Sequence, residues 1–490
     1  MRFLRLAVQL VVACLLPSCL YCADENSPPA SPQPLRIGSI TIDGSLRLRG
    51  EAWDSFLQDS RAEYGYGNSL LRLAISQRRS RFDWKLELGQ TTLFSLPSDA
   101  FVATTGEPLG LGASYFAANG NQRNVAAVYL KQAYLSFKGF GENGSHLRLG
   151  RFDFGDGLEL TPADRTLAAL KRDRLAYRLI GDAGFTPSGR SFDGVKLSYD
   201  HGISNLTFLA ARPTEGGYQA DALRELDVDV LYTAYTHEFP ARLANSELRL
   251  FGIGYHDGRA VLKTDNRPLA ARQADFRNIR IGTFGGHFLS AWGTPLGKWD
   301  ALLWGAMQTG HWGVLDHQAG SIDVELGWQP PHIWGKPWLR ASAFRGSGDT
   351  NPNDGIHETF FQILPTSRWY ARIPFYNFQN TMDFTGQLIL QLHQRVKLHS
   401  QIHKVKLTEK QDLWYLGTGA FQNSSFGYDG IASGGRGGLA NYLDVSVHYQ
   451  ATSHLNTTFY VGALSGKAVM TDRAQGRKGG YAYIELLYSF

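Results

Sequence analysis

Cysteine is almost missing from this chain. Of 490 residues only Cys14, Cys19 and Cys22 carry a thiol, and all three precede residue 24. Past that point no disulfide or thiolate metal site can form. Charge is sparse as well: Asp, Glu, Lys and Arg make up 19%, below the roughly 25% usual for globular proteins. A net charge of +5 spread over this length does not suit a strongly basic nucleic-acid binder. With 43% apolar residues, it does not suit a disordered chain either. Long apolar runs are lacking too. Only Leu6–Leu16 qualifies, and nothing later approaches the ~18 residues that a spanning helix needs. No Pro/Ser/Gly-rich linker divides residues 35–490, although the length suggests about three domains.

What is abundant is glycine (54) and aromatic side chains (11 Trp, 22 Tyr, 28 Phe). That balance suits an all-β protein whose apolar residues are not all gathered into one core. At the N-terminus Arg2 and Arg5 precede the apolar stretch, and Pro17 ends it. This order predicts a secretory signal peptide over 1–23. Leu16-Pro17-Ser18-Cys19 loosely resembles a lipoprotein cleavage box, which would lipidate Cys19, although proline fits it poorly. Residues 24–35 read as a disordered lead-in, and 36–490 as one domain.

From residue 36 the dominant period is two. Ile40, Ile42, Leu46 and Leu48 alternate with polar neighbours, as do Phe82, Trp84, Leu86 and Leu88. Such alternation gives a strand one apolar and one polar face. Eighteen segments read this way, from 38–53 to 481–490. Short connections such as 78–80 and 394–395 alternate with mostly long ones such as 93–124, 156–190 and 408–439; residues 311–318 are the one short exception. The expectation is an 18-stranded antiparallel transmembrane β-barrel of a Gram-negative outer membrane, with short periplasmic turns and long extracellular loops. The chain ends on an alternating strand whose last residue is Phe490. Such a tail looks like the signal read by the barrel-assembly machinery.

In lipid the apolar face must point outward. Trp292, Trp299, Trp328, Trp334 and Trp338 lie near short turns, where an interfacial girdle is expected. The polar face then lines a lumen. Its basic members include Arg47, Arg49, Arg72, Arg148, Lys196, Arg249, Arg280 and Arg340, and its acidic members Glu87, Glu247, Asp444 and Glu485. The basic excess predicts attraction of anions. A β-bulge near Gly150 would turn Arg151 and Asp153 inward. A second at Gly194 would do so for Asp193, and a third near His403 for Lys404 and Lys406.

The segments His146–Gly157 (HLRLGRFDFGDG), Gly189–Leu197 (GRSFDGVKL) and Arg345–Gly355 (RGSGDTNPNDG) resemble motifs of the alginate export family. The resemblance runs through most of 36–490 and implies an 18-stranded outer-membrane barrel exporting an anionic polysaccharide through an arginine-rich pore. It implies pore positions at Arg47, Arg72, Arg151, Asp193 and Arg345, with Lys131 standing where the family has arginine. Two departures weaken alginate itself as the solute. The stretch Thr458-Phe459-Tyr460 lacks the arginines of the best-known alginate porin's penultimate strand, and only Gln450–Ser453 precedes it, where that porin has a long periplasmic plug.

Asp349, Asn351, Asn353 and Asp354 offer closely spaced oxygens, but the glycine falls one position late for an EF-hand; a turn-rich loop is the plainer reading. Thr161–Ile180 could form a short helix folded onto the mouth or lumen. Serines and histidines such as Ser290, His287 and His311 form no motif for nucleophilic catalysis, so no enzyme is expected, and no cofactor. The expected function is passive export or diffusion of an anionic solute, an acidic polysaccharide or sugar acid. The expected partners are outer-membrane lipid, the assembly machinery and periplasmic export proteins, without nucleic acid. The alternatives are a porin for other small solutes, a hydrolase, or an adhesin acting through loops 93–124 or 348–382.

Overall fold

A strand that meets lipid on one face cannot leave its backbone edges unpaired, so the sheet must close on itself. The computed structural model describes residues 33–54, 62–101, 108–139, 144–240, 244–365, 372–473 and 478–490. Within them the wall runs β1 (Ile40–Asp54), β2 (Glu63–Arg78), β3 (Phe82–Phe94), β4 (Val125–Lys138), β5 (Ser145–Phe152) and β6 (Phe192–His201). It continues through β7 (Ser204–Pro213), β8 (Val228–Phe239), β9 (Ala244–Asp257), β10 (Ile279–Thr294), β11 (Gly297–Trp312) and β12 (Leu315–Gln329). It ends with β13 (Trp338–Gly346), β14 (Thr381–His393), β15 (Val396–Leu407), β16 (Gly438–Gln450), β17 (Leu455–Gly466) and β18 (Lys478–Ser489). Each strand pairs antiparallel with the next, and β1 pairs with β18 from Ser45↔Ser489 to Asp54↔Gly480.

The result is a closed 18-strand barrel, as the alternation predicts. The expected signal peptide, Cys19 and most of the lead-in lie outside the described residues. Pairing starts at Leu35, which faces Ile42. The connection expected over 311–318 shrinks to residues 313–314, because β11 and β12 pair up to Trp312↔Leu315.

The outer face follows the alternation. Leu231, Phe284, Met307 and Ile402 are exposed where the sequence places lipid contacts. Trp292, Trp299 and Trp328 face one another across β10–β12, with the last two rings stacked at 5.8 Å. Trp338 departs from the expected girdle. It points inward with Arg340 and donates to Asp300 Oδ2 at 2.8 Å.

The inner face is not uniformly polar. From β8 to β11 it carries Tyr232, Phe251, Ile253, Ile281 and Trp304, all buried. They pack against Phe154, Leu167, Leu179, Phe360 and Phe361 from segments 153–191 and 347–365. Extracellular connections therefore fold into the barrel and form an apolar core there, to which Phe426 and Tyr428 of segment 408–437 also belong. This corrects the expectation that the polar face alone lines the lumen. The abundant aromatics serve two apolar surfaces, one toward lipid and one toward the inserted loops.

The chain end is locked by close packing. Gly44 and Phe490 exchange backbone hydrogen bonds at 3.1 and 3.0 Å. A Cβ at position 44 would lie 2.6 Å from the Phe490 ring and 2.8 Å from the Arg72 carbonyl. Gly44→Val should therefore destabilise the barrel by about 1–3 kcal/mol. The temperature at which the folded band loses its heat-modifiable mobility on electrophoresis should fall, and an unchanged temperature would refute the packing argument.

Candidate functional site in the lumen

The lumen is organised by segment 153–191, which crosses it from the β9–β13 wall to the β1–β4 wall. On the first side, Asp164 accepts from the amides of Thr166 and Leu167 and so starts helix α1 (Arg165–Leu170). One wider turn, Lys171–Leu175, follows. This matches the helix expected within 161–180 and places it inside the barrel. Lys171 Nζ reaches Glu247 of β9 at 2.8 Å, and Arg174 reaches Glu325 of β12 at 2.9 Å. Arg178 pairs with Asp323 and with Glu325, the latter at 3.4 Å. These groups are almost fully buried. Burial of single charges is prohibitive, so each cation needs its acid.

Two predicted pore arginines belong to this anchoring. Arg249 is buried against Glu159 at 3.1 Å and Asp156 at 4.0 Å. Burial drives both loop carboxyls upward, and Arg249 opposes it. The outcome differs: Asp156 rises to about 6. Glu159, with Lys171 and the Tyr232 hydroxyl also acting on it, falls to about 2. Arg340 is buried between Asp300 and Glu325, with 2.7 Å to the latter.

On the far side the segment's backbone is held by wall cations. Arg47 donates to the carbonyls of Gly184 and Thr186 at 2.7 and 2.5 Å. Arg49 donates to Phe185 O at 2.8 Å while pairing with Glu485 at 2.5 Å, and its guanidinium stacks 4.1 Å from the Phe185 ring centroid. Lys131 is fully buried, donating to Arg190 O at 2.6 Å and pairing with Asp153 at 2.8 Å. A bulge sets its direction. The register shifts between Glu87 and Leu88, leaving Lys131 unpaired in the ladder so that it points inward together with Gln132.

Other charges keep contact with water. The side chains of Arg72, Lys85 and Asp153 are 24%, 22% and 25% exposed. Arg148 and Lys196 face each other across β5 and β6, both pointing inward. Arg148 stacks on Tyr134 at 4.2 Å. Asp153, Glu159, Tyr177, Asp182 and Lys196 also line a cavity of about 150 Å³.

Three expected pore residues lie outside the lumen. The ladders run through Gly150 and Gly194 without a shift, so the bulges that would turn Arg151 and Asp193 inward do not form there. Phe152 and Phe192 point in and are fully buried, while Leu149 and Val195 point out. Arg151 and Asp193 share the outward parity and pair with each other at 2.5 Å on the outer rim. Arg345 follows Leu339 outward and lies 3.9 Å from Glu409. Arg280, Lys404 and Lys406 also point outward, against expectation. For Arg151, Asp193, Arg280 and Arg345 the uninterrupted pleat decides the face; beside Lys406 the register with β16 shifts at Val405/Lys406, but β15 itself keeps its alternation, so both lysines stay outside.

The closely spaced oxygens of 349–354 satisfy the loop's own backbone. Asp349 accepts from Asn351 N at 2.9 Å, Asn351 from Asn353 N at 3.1 Å, and Asp354 from Ile356 N at 3.0 Å. Among the described residues no three His, Cys, Asp or Glu side chains gather as metal ligands. Reasoning on wall strands alone misses Lys171, Arg174 and Arg178. Their signal was the run of basic residues within an amphipathic loop.

The barrel fold is shared with solved structures. Pseudomonas aeruginosa OccK9 (OpdG) superposes with a TM-score of 0.56 at 10% identity, covering 92% of this chain and 98% of its own. Acinetobacter baumannii OccAB2 gives 0.55 at 9% identity, and P. aeruginosa OpdK solved with vanillate gives 0.53 at 9%, with the same coverage. A comparison with curated proteins returned no match. The pattern of the alginate export family matches residues 109–482, and the chain belongs to that family.

Glu325 is the hub of the loop anchor. Glu325→Gln leaves Arg174, Arg178 and Arg340 short of a counter-charge, and such losses cost about 3–5 kcal/mol. Segment 153–191 should detach. The expected readouts are tryptic cleavage after Arg172 or Arg174 and a higher, noisier single-channel conductance. Conductance and protease resistance equal to wild type would contradict the anchor.

Proposed function

We propose that the barrel is a passive channel for anionic solutes of the sugar-acid or acidic-polysaccharide class, located in a Gram-negative outer membrane. The observation that carries this reading is the set of lumen cations that still meet water beside the crossing segment. These are Arg72 and Lys85, which stay partly exposed while pairing with Glu87 at 3.8 and 2.6 Å, together with the facing pair Arg148 and Lys196. Neither member of that pair makes an ion pair among the described residues. A solute carboxylate can exchange among such groups, each contact weak enough to release it. Family membership supports an acidic polysaccharide. OpdK, crystallised with vanillate, supports small carboxylates. No cofactor enters this reading; the driving force is the solute gradient or a periplasmic export partner. The terminal strand ending in Phe490 serves as the assembly signal.

A second reading is a porin for other small solutes. It is favoured because Arg47, Arg49, Lys131, Arg249 and Arg340 are engaged with the loop backbone or with buried acids, which reduces the cationic lining.

Reversal potentials of purified barrel in planar bilayers under a KCl gradient separate the two. The expected result is chloride preference. It should weaken in Arg148→Gln/Lys196→Gln and stay unchanged in Arg345→Gln, whose side chain lies outside. Cation preference, or equal loss in both variants, would overturn the reading.

A further inference from the structure

The outer surface carries two unlike charged rims at the extracellular end. Over β5–β9 the charges neutralise one another: Arg151 pairs with Asp193 at 2.5 Å, and Arg212 with Asp229 at 2.7 Å. Over β15–β18 the outward lysines make no ion pair among the described residues. Lys404 and Lys406 of β15 and Lys478 of β18 are exposed and point outward. Lys410 and Lys467 stand in the adjoining loops, close to Gly437 and Gly438. Of the nearby acids, Asp472 is engaged by Arg436 at 3.1 Å, Glu409 lies 3.9 Å from Arg345, and Asp54 lines the groove below the three exposed lysines.

Below these lysines the outer wall is hollowed into a groove of about 880 Å³. The hollow arises because the outward positions there are small: Gly386, Ala463 and Gly480. Phe384, Ile402 and Leu443 stand around it and are 47%, 60% and 47% exposed. An apolar groove on the lipid face, capped at the headgroup level by lysines that outnumber the acid in its lining and make no ion pair among the described residues, has the polarity of an acyl chain ending in an anion. Lysine stems reach such a level by laying their methylenes along apolar surface, and clustered basic residues at a membrane boundary select anionic headgroups.

We propose that this groove is a binding site for a phosphorylated, acylated lipid of the outer leaflet. Its acyl chains lie over Gly386, Ala463 and Gly480, and its phosphate lies between Lys404, Lys406 and Lys478. The site is independent of the conduction pathway, because its residues face away from the lumen.

Native mass spectrometry of the purified barrel, titrated with bis-phosphorylated lipid A or its dephosphorylated form, tests this. Wild type should retain lipid A at least tenfold better than the dephosphorylated form. Lys404→Gln/Lys406→Gln/Lys478→Gln should lose that preference. Ala463→Phe should lower retention of both lipids. Arg212→Gln, on the neutralised rim, should behave as wild type. Heat-modifiable mobility shows which variants are folded, and KCl reversal potentials should not change in any of them. Equal retention of both lipids by wild type, or an unchanged preference in the folded triple variant, would overturn the phosphate contact. Unchanged retention in folded Ala463→Phe would overturn the groove, as would a dimer that buries this face and binds no lipid.

Discussion

Ion pairing across the lumen is the interaction on which the rest of the interior depends. Asp323 and Glu325 sit on a wall strand where an empty pore would leave them in water. Here Arg174 and Arg178 cover them from the inserted segment, with the apolar side chains of both surfaces around the pairs. Once water is displaced, neither side can leave without exposing the other as an uncompensated buried charge. Apolar packing supplies the bulk attraction, and the ion pairs fix which residues of the segment meet which strands.

The same economy explains the fate of the lumen arginines. Arg47 stands where the family resemblance places a pore lining and Arg49 where the alternation does, yet their donors are taken by the carbonyls of Gly184, Phe185 and Thr186. A segment spanning the lumen without regular structure there has bare carbonyl oxygens, and guanidinium groups satisfy them. Under the proposed function the lane for solute runs along β2–β6, past Arg72, Lys85, Arg148 and Lys196, whose side chains keep partial exposure.

The barrel was legible because its constraint is local and repeated: each strand must alternate, and the sheet must close. Strand order, strand number and the alternation of short and long connections all follow from that period. The site was only partly legible. Arg47, Arg49, Arg72, Arg148, Lys196, Arg249, Arg340 and Glu485 face the lumen because the pleat puts them there. Arg151, Asp193 and Arg345 were assigned inward against the pleat, through bulges or resemblance, and the continuous register keeps them outside. Lys131 is the opposite case, since an irregularity does occur beside it. Partners of buried acids from a loop over a hundred residues away in sequence, as with Arg174 and Glu325, leave no trace in strand periodicity.

The central claim is that the wet cationic lane beside the crossing segment carries anionic solutes. It is tested most directly by flux through proteoliposomes containing the purified barrel, comparing a monomeric uronate with the neutral hexose of the same size. The account predicts severalfold faster uronate flux, with the difference shrinking at high salt as the lumen charges are screened. Equal flux at low salt, or faster movement of the neutral sugar, would contradict it.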